Sequence, residues 1–232
     1  VHHPITFSYG QLGFVVAGSN TDHVYKYDKN NGNWSQLSDF PDGGRGYAYG
    51  VAVGDKAYIG FGSDPNGIYP TDWWEYNMIS DVWIQKANFP NIGRNHPAMV
   101  NVGDKIFIGC GSNNTGNLGD WWEYDMLNDL WTQKSSFIGD GRNHPAMILV
   151  NNKIYVGCGS NNNGNLDDWW EYDINLDTWT VKNNFIGNNR HHPYYFGLGD
   201  YAYVGFGHGS MVGPGSNPSS NSYIYNDFYR YD

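Results

Sequence analysis

Basic side chains and long apolar runs are both scarce in this sequence. Its 13 lysines and arginines stand against 23 aspartates and glutamates, which gives a formal charge of -10. Nucleic-acid affinity comes mainly from clustered basic charge, so we expect no nucleic-acid partner. No apolar run reaches the length of about 18 residues that a spanning helix needs, so we expect no membrane span. The acidic balance favours neutral or cationic ligands.

Helical spacing is missing as well. No window keeps apolar residues at i, i+3, i+4 and i+7, the pattern of an amphipathic helix. Aromatic residues make up 17% of the chain and glycines number 31, a composition that agrees with short strands joined by turns. The sequence therefore predicts an all-β protein.

The usual catalytic motifs are also absent. The chain has no Gly-x-Ser-x-Gly elbow, no His-Glu-x-x-His, no phosphate loop and no Cys-x-x-Cys. Glu75, Glu123 and Glu171 resemble a set of catalytic carboxylates, but they recur in register, as structural ion-pair partners would. We expect no catalytic residue, no cofactor and no bound metal.

One phrase returns four times at a nearly constant spacing. It begins at arginines that are 49, 48 and 48 residues apart: Arg45, Arg94, Arg142 and Arg190. A fixed period near 50 residues is typical of propellers and solenoids. A Trp-Trp-Glu-Tyr segment and a closing tryptophan keep the same register. These landmarks divide the chain into one domain of five units, approximately 1-44, 45-93, 94-141, 142-189 and 190-232.

Each unit predicts four short strands. Unit three shows them best: Pro97 to Val102, Lys105 to Cys110, Trp121 to Asp125, and Leu130 to Lys134, with Gly-Asp as the first hairpin turn. We expect each unit to form a four-stranded antiparallel sheet. The paired tryptophans at the third strands should be mainly core, because both sides of such a sheet pack against neighbours.

The combined pattern resembles the kelch repeat over essentially the whole chain. It consists of Arg-Asn-His-Pro, a strand that ends in a glycine-bearing doublet, Glu-Tyr-Asp, and Trp-Thr-Gln-Lys. Two departures stand out: the doublet is Cys-Gly, Phe-Gly or Ala-Gly, and unit one lacks its leading arginine. The resemblance implies a β-propeller of five kelch-like four-stranded antiparallel blades, although six or seven blades are more usual in this family.

The fifth unit ends after its third strand, with no tryptophan-bearing fourth strand. We therefore expect the last blade to lack its outer strand. An unpaired outer edge is a template for another strand. That strand would come from a neighbouring copy, from a longer parent chain, or from nowhere, and the sequence leaves these alternatives open.

Cysteine is rare, and its two copies occupy the same position in adjacent units. Cys110 and Cys158 would lie on neighbouring packed sheets about 10 Å apart, whereas a disulfide needs Cα atoms within about 7 Å. We expect two free, buried thiols.

Because successive strands alternate in direction, the sequence also indicates on which face of the protein a ligand would bind. The linkers before the first strands and the loops between the second and third strands emerge on the same face, and binding residues concentrate in such loops. The candidate ligand-binding residues in these linkers are Arg45, Arg94, Arg142, Arg190, Asn95, Asn143, His96, His144, His192 and Tyr47. His3 takes the histidine position in unit one, and Tyr47 takes it in unit two.

Each of these residue types has a second interpretation. The histidines suit a metal or anion site. Histidines at matched positions also arise by duplication of the repeat, however, and each would then hydrogen-bond the backbone of a neighbour; we favour this second interpretation. The arginines either tie the blades together or, as the kelch resemblance implies, line a ligand pocket. The Asn-rich and Gly-rich loops 64–67, 113–117, 161–165 and 207–226 suit sugar hydroxyls or ordinary turns.

These observations favour a non-catalytic recognition module for a protein or a glycan, on the face that carries the arginine and histidine linkers. An extracellular or cell-surface location fits such a role. The first alternative is a structural subunit that forms oligomers or filaments by strand addition at blade five. The second is an enzyme, because the family that this chain resembles includes a copper oxidase and a sialic-acid mutarotase.

Overall fold

A computed structural model of the chain describes residues 3–19, 21–209 and 223–231, and its regular structure is made of strands. The strands form five antiparallel sheets and three two-stranded ribbons. The first strands of successive sheets pack side by side from one sheet to the next. This is the five-bladed β-propeller that the sequence predicts. Within the described ranges, no helix is long and apolar enough to cross a membrane.

The strands run outward from the propeller axis in chain order. Blades one to four have four strands each: Ile5–Tyr9, Leu12–Val16, Val24–Asp28 and Asn33–Gln36; Tyr49–Val53, Lys56–Gly60, Trp73–Asn77 and Val82–Lys86; Ala98–Val102, Lys105–Gly109, Trp121–Asp125 and Leu130–Lys134; Ala146–Val150, Lys153–Gly157, Trp169–Asp173 and Thr178–Lys182. Blade five has three strands among the described residues: Tyr194–Leu198, Tyr201–Gly205 and Phe228–Tyr231. The expectation that blade five lacks its outer strand is confirmed over this part of the chain.

The glycines of the repeat allow close approaches between segments. At Gly109 a Cβ would lie 2.2 Å from the ring of Trp121, so the glycine makes room for the indole of the neighbouring strand. At Gly111 the φ is +92°, and a Cβ would lie 2.6 Å from the carbonyl oxygen of Asn95. Only glycine fits both constraints at Gly111. The glycine-bearing doublet therefore brings the linker against the end of the second strand.

The loops and the linkers share one face, which we call the ribbon face. Ribbons form there from Ser112–Asn113 with Gly116–Asn117, from Ser160–Asn161 with Gly164–Asn165, and from His208–Gly209 with Tyr223–Ile224. Isolated antiparallel bridges join Asn95 to Ser112 and Asn143 to Ser160, and so tie each linker to its ribbon. Of the predicted loop 207–226, residues 210–222 lie outside the described residues.

Four apolar clusters join blade one to two, two to three, three to four, and four to five. Between blades three and four, for example, Phe107 and Trp121 pack against Tyr172. No such cluster joins blades five and one within the described residues. There Tyr194 of blade five and Ile5 of blade one line a common cavity, and we call this junction the open seam. The ring therefore has four sealed interfaces and one open one.

The paired tryptophans and the repeated glutamates are structural. Trp73, Trp121 and Trp169, the first members of the pairs, are fully buried, so the core assignment is confirmed for them. The glutamates of the third strands accept from lysines of neighbouring strands: Lys56 contacts Glu75 at 2.6 Å, Lys105 contacts Glu123, and Lys182 contacts Glu171 at 3.1 Å.

Cys110 and Cys158 are free and fully buried, as expected from their positions on adjacent blades. Burial raises the pKa of each thiol to about 12, because the thiolate would lose its solvation. A thiol in this state is a packing group and not a nucleophile.

We expect both thiols to resist a disulfide reagent such as DTNB in the native protein and to react at the rate of free cysteine after unfolding in guanidinium chloride. The physical reason is that the reagent needs an accessible thiolate. Release of thionitrobenzoate, followed with and without denaturant, measures this. Fast reaction of either thiol under native conditions would contradict the packing of blades three and four.

Candidate functional site

Each of the four repeated arginines is buried in a bidentate ion pair. Arg94 is representative: its Nη1 donates to Oδ1 of Asp120 at 2.6 Å and its Nη2 donates to Oδ2 at 2.7 Å. Nη1 also donates to the carbonyl oxygen of Cys110 at 3.0 Å. The equivalent pairs are Arg45 with Asp72, Arg142 with Asp168 and Arg190 with Asp227. Each arginine thus joins the linker to the start of the third strand.

The flat face of each guanidinium is covered as well. The central carbon of Arg94 lies 4.9 Å from the ring centroid of Phe89, which belongs to the same linker. Trp122 donates its indole N–H to Asp120 at 2.8 Å. Burial alone would raise the pKa of Asp120, but the hydrogen bonds and charge of Arg94 outweigh it, so this pKa lies below its usual value.

The arginines therefore have no surface to offer a ligand. Arg45, at 1% exposure, and Arg94, Arg142 and Arg190, at 0%, donate from their Nη atoms to partners within the protein. The sequence analysis named two roles for them, joining one blade to the next or lining a ligand pocket. The ion pairs instead hold each linker to its own blade, since Arg94 and Asp120, for example, both belong to unit three. We do not carry the arginines into the proposed ligand site.

The five residues of the histidine position form a ring at the propeller axis, which we call the axial ring. Going round it, the ring centroids of His3 and Tyr47 are 4.4 Å apart, Tyr47 and His96 4.4 Å, His96 and His144 3.5 Å, and His144 and His192 3.4 Å. His192 and His3 close the circle at 6.3 Å, across the open seam.

A shared backbone conformation directs these side chains to the axis. All five residues have a positive φ between 50° and 60°. This left-handed region is uncommon for residues other than glycine, although histidine visits it more than most. Because the conformation also occurs at Tyr47, it belongs to the repeat and not to the imidazole. The sequence analysis placed these residues in or beside the linkers before the first strands, without showing that their rings touch.

The asparagines of the linkers orient the axial ring unequally. Oδ1 of Asn143 lies 2.6 Å from Nδ1 of His144 and accepts from Ser160 Oγ at 2.9 Å. Nδ2 of Asn143 donates to Oδ1 of Asn117 at 2.9 Å. Asn95 makes the backbone bridge to Ser112, while its Oδ1 is buried with no hydrogen-bond partner among the described residues. Asn143 therefore fixes one imidazole, and Asn95 does not.

The imidazoles of His96, His144 and His192 are neutral at physiological pH. Burial and, to a smaller extent, the neighbouring imidazoles lower the pKa of His96 and of His192 to about 3. The pKa of His144 is lowered for the same reasons. Protonation would place charges side by side in a poorly solvated space. The ring thus presents neutral nitrogens, each able to donate or accept according to its tautomer.

Two adjoining cavities of about 580 and 570 Å³ open beside the axial ring. Both are lined by His3, Tyr49, His192, Pro193, Tyr194 and Tyr195. The first also reaches Phe206 and His208 on the ribbon face, and the second reaches Tyr47 and His96. The described lining residues of these two cavities include no aspartate, glutamate, lysine or arginine. The cavities are aromatic, and their polar groups are uncharged.

Sequence reasoning named Tyr47 but missed other tyrosines of these cavities, Tyr49 and Tyr194 among them. Tyr49 and Tyr194 occupy the position where blades three and four carry the buried alanines Ala98 and Ala146. The break in the repeat was visible in the sequence, because a large aromatic residue replaces a small one at a first strand. What the sequence does not reveal is that these two tyrosines reach a cavity, because their strands also pack against the first strands of neighbouring blades.

Comparison with known proteins supports the fold. No protein-family model and no curated protein sequence matches the chain. A solved structure titled "Structure of YjhT" resembles it with a TM-score of 0.81 and 14% sequence identity. The match covers 99% of this chain and 82% of that chain. At this identity, the likeness shows the propeller fold alone.

We expect the change Arg94→Ala to lower the free energy of unfolding by about 3–5 kcal/mol, because it leaves Asp120 buried without its partner. Arg94→Lys should also destabilise the protein, since an ammonium group cannot make the bidentate pair. Guanidinium denaturation followed by tryptophan fluorescence measures both.

The matched control is Asp39→Asn, which weakens an ion pair with His23 whose two side chains are both nearly half exposed. Exposed pairs contribute little, so its unfolding free energy should be almost unchanged. An Arg94→Ala variant as stable as the unmodified protein would contradict the structural role and return the arginine to the ligand-binding candidates.

Proposed function

We propose that this protein is a kelch-type propeller that recognises a glycan without chemical turnover, and that a neutral sugar binds in the two axial cavities. The observation that carries the proposal is the lining of these cavities, which combines aromatic rings with uncharged imidazoles. Ligand pockets of this size usually pair apolar walls with a few polar groups that fix orientation.

The lining suits the two kinds of surface that a sugar ring offers. Its C–H faces are apolar and pack on aromatic rings, of which Tyr194 and Phe206 are the most accessible, at 72% and 43% exposure. Its hydroxyls both donate and accept, as the hydroxyl group of Tyr194 in the lining does. A concave aromatic site fits a sugar residue better than the broad surface of a protein, so we favour the glycan.

The charge pattern argues for a neutral sugar. An acidic sugar such as sialic acid would need a basic partner for its carboxylate, because burying an unpaired charge is costly. The four repeated arginines are already paired with aspartates and line neither cavity, and the imidazoles of His96 and His192 are neutral. This pattern weighs against a sialic-acid mutarotase. A glycan ligand is also consistent with an extracellular or cell-surface location.

Tyr194→Ala is the variant that tests this site. We expect it to weaken binding of a neutral sugar about tenfold, which corresponds to the loss of about 1.4 kcal/mol of stacking. The candidate sugar is first selected on an array of neutral and acidic glycans, and its dissociation constant is then measured by calorimetry.

Phe196→Ala is the matched control, because Phe196 is also an exposed aromatic residue of the same strand but lines neither cavity. Its affinity for the sugar should equal that of the unmodified protein. Equal losses in the two variants, or a clear preference for acidic glycans, would contradict the proposed site.

A second candidate function is supported by the outer edge of blade five. Phe228–Tyr231 has no fourth strand beside it among the described residues, and Phe228 of this edge strand is 44% exposed. An unpaired edge beside an exposed apolar surface favours strand addition from another molecule. In this candidate the protein is a structural subunit that assembles through blade five.

If the protein assembles, its mass in solution should exceed the 26.2 kDa of one chain and should grow with protein concentration. Light scattering after size exclusion, over a hundredfold range of concentration, measures it. Fusing the turn and last strand of blade four, residues 174–182, after Asp232 should return the protein to a monomer by filling the edge. A fused Gly-Ser segment of equal length is the control and should not. A monomer at every concentration would exclude assembly by this route.

A further inference from the structure

Three imidazoles of the axial ring converge on one point. His96, His144 and His192 each bring a ring nitrogen within 4.8 Å of the other two. The ring of His144 lies in the middle, with centroids 3.5 Å from His96 and 3.4 Å from His192. The three residues come from three different blades, so the propeller fold itself assembles the group.

The nitrogens of this group lack the partners that buried polar atoms normally have. Nε2 of His96, Nε2 of His144 and both ring nitrogens of His192 are shielded from solvent, and no described residue hydrogen-bonds to them. Most buried polar side-chain atoms in proteins are paired, so an unpaired set calls for an explanation. The first expectation, that each histidine hydrogen-bonds a neighbour's backbone, does not account for these atoms.

The surroundings of His144 set its tautomer. Asn143 Nδ2 donates to Asn117, so the oxygen of the Asn143 amide points at the imidazole. His144 Nδ1 therefore carries the proton and donates to that oxygen at 2.6 Å, which leaves the lone pair on Nε2 free. Metal-binding histidines usually donate their other ring N–H to an oxygen in this way.

From this geometry we propose that His96, His144 and His192 bind one divalent transition metal ion of the zinc class at the propeller axis. Three imidazoles without a thiolate or carboxylate suit zinc, copper or nickel and not calcium or magnesium. Nitrogens bound tetrahedrally to zinc lie about 3.3 Å apart, given zinc–nitrogen bonds of about 2.0–2.1 Å, so small ring rotations close the site.

The site would leave one coordination position open. His144 and His192 line one axial cavity, and His96 and His192 line the other, so the fourth position faces this shared space. Three protein ligands and one exchangeable ligand are typical of zinc sites that act on or bind small molecules. This inference goes beyond the proposed glycan recognition and does not depend on it.

The test uses the whole chain, stripped of metal with a chelator and titrated with cobalt(II). The visible absorption of bound cobalt(II) depends on the number and type of its ligands. We expect one ion per chain, absorption typical of a four-coordinate nitrogen site, and displacement by one equivalent of zinc. Absence of binding, or a spectrum typical of six oxygen ligands, would overturn the proposal.

Variants assign the ligands. His144→Gln should abolish cobalt absorption, and Asn143→Ala should weaken zinc binding by about 10- to 100-fold, the usual cost of losing an outer-shell partner. His23→Gln is the control, because His23, Asp22 and Asp39 form a second group of metal-ligating residue types away from the axis. Loss of binding in His23→Gln but not in His144→Gln would overturn the proposal.

A measurement on the unmodified chain covers the case in which His144→Gln does not fold. Diethyl pyrocarbonate modifies histidines that keep a free ring nitrogen, and mass spectrometry locates each product. Zinc should protect His96, His144 and His192 from modification while His23 reacts at the same rate. Equal modification of the three axial histidines with and without zinc would refute the site even if zinc binds elsewhere.

Discussion

The buried pair between an arginine and an aspartate is the contact on which the geometry of each linker depends. Arg94 is held at Asp120, at the carbonyl of Cys110 and against the ring of Phe89, so the linker between blades two and three has one position. Two residues later the backbone turns through the left-handed conformation at His96. A buried ion pair seldom adds much net stability, but losing one partner is costly. Here the ion pair fixes the position of the linker, so that the side chain two residues later points to the propeller axis.

Blade one departs from this pattern. Val1 stands two residues before His3, where the other linkers carry their arginine, and no apolar cluster in the described residues joins blade one to blade five. The circle is closed instead by stacked rings, with His3 and His192 at 6.3 Å. Two cavities of about 580 and 570 Å³ lie beside this junction. The proposed ligand site therefore lies where the repeat is least regular.

The sequence predicted the architecture far better than the site. The period located Trp121–Asp125 and Leu130–Lys134 at their observed bounds, because strands and turns follow local patterns. The first strand of unit three begins one residue later than predicted, at Ala98, since Pro97 has no N–H to give to the ladder. The sequence could not show that Arg94 is buried, because an arginine that binds a ligand and one that is buried would have the same spacing. Contacts among His96, His144 and His192 depend on the radius of the propeller, which the period does not specify.

The electrostatics of the axis connect the glycan and the metal without making one depend on the other. Aspartates neutralise the arginines and burial keeps the imidazoles neutral, so the cavities carry little charge although the chain carries -10. Without a metal ion, an uncharged ligand with hydroxyl groups therefore loses the least solvation free energy when it enters the cavities. A divalent ion on the three imidazoles would make the same space positive and favour ligands with lone pairs, including sugar hydroxyls. With or without a metal ion, the axial ring thus determines which polar groups a ligand must have.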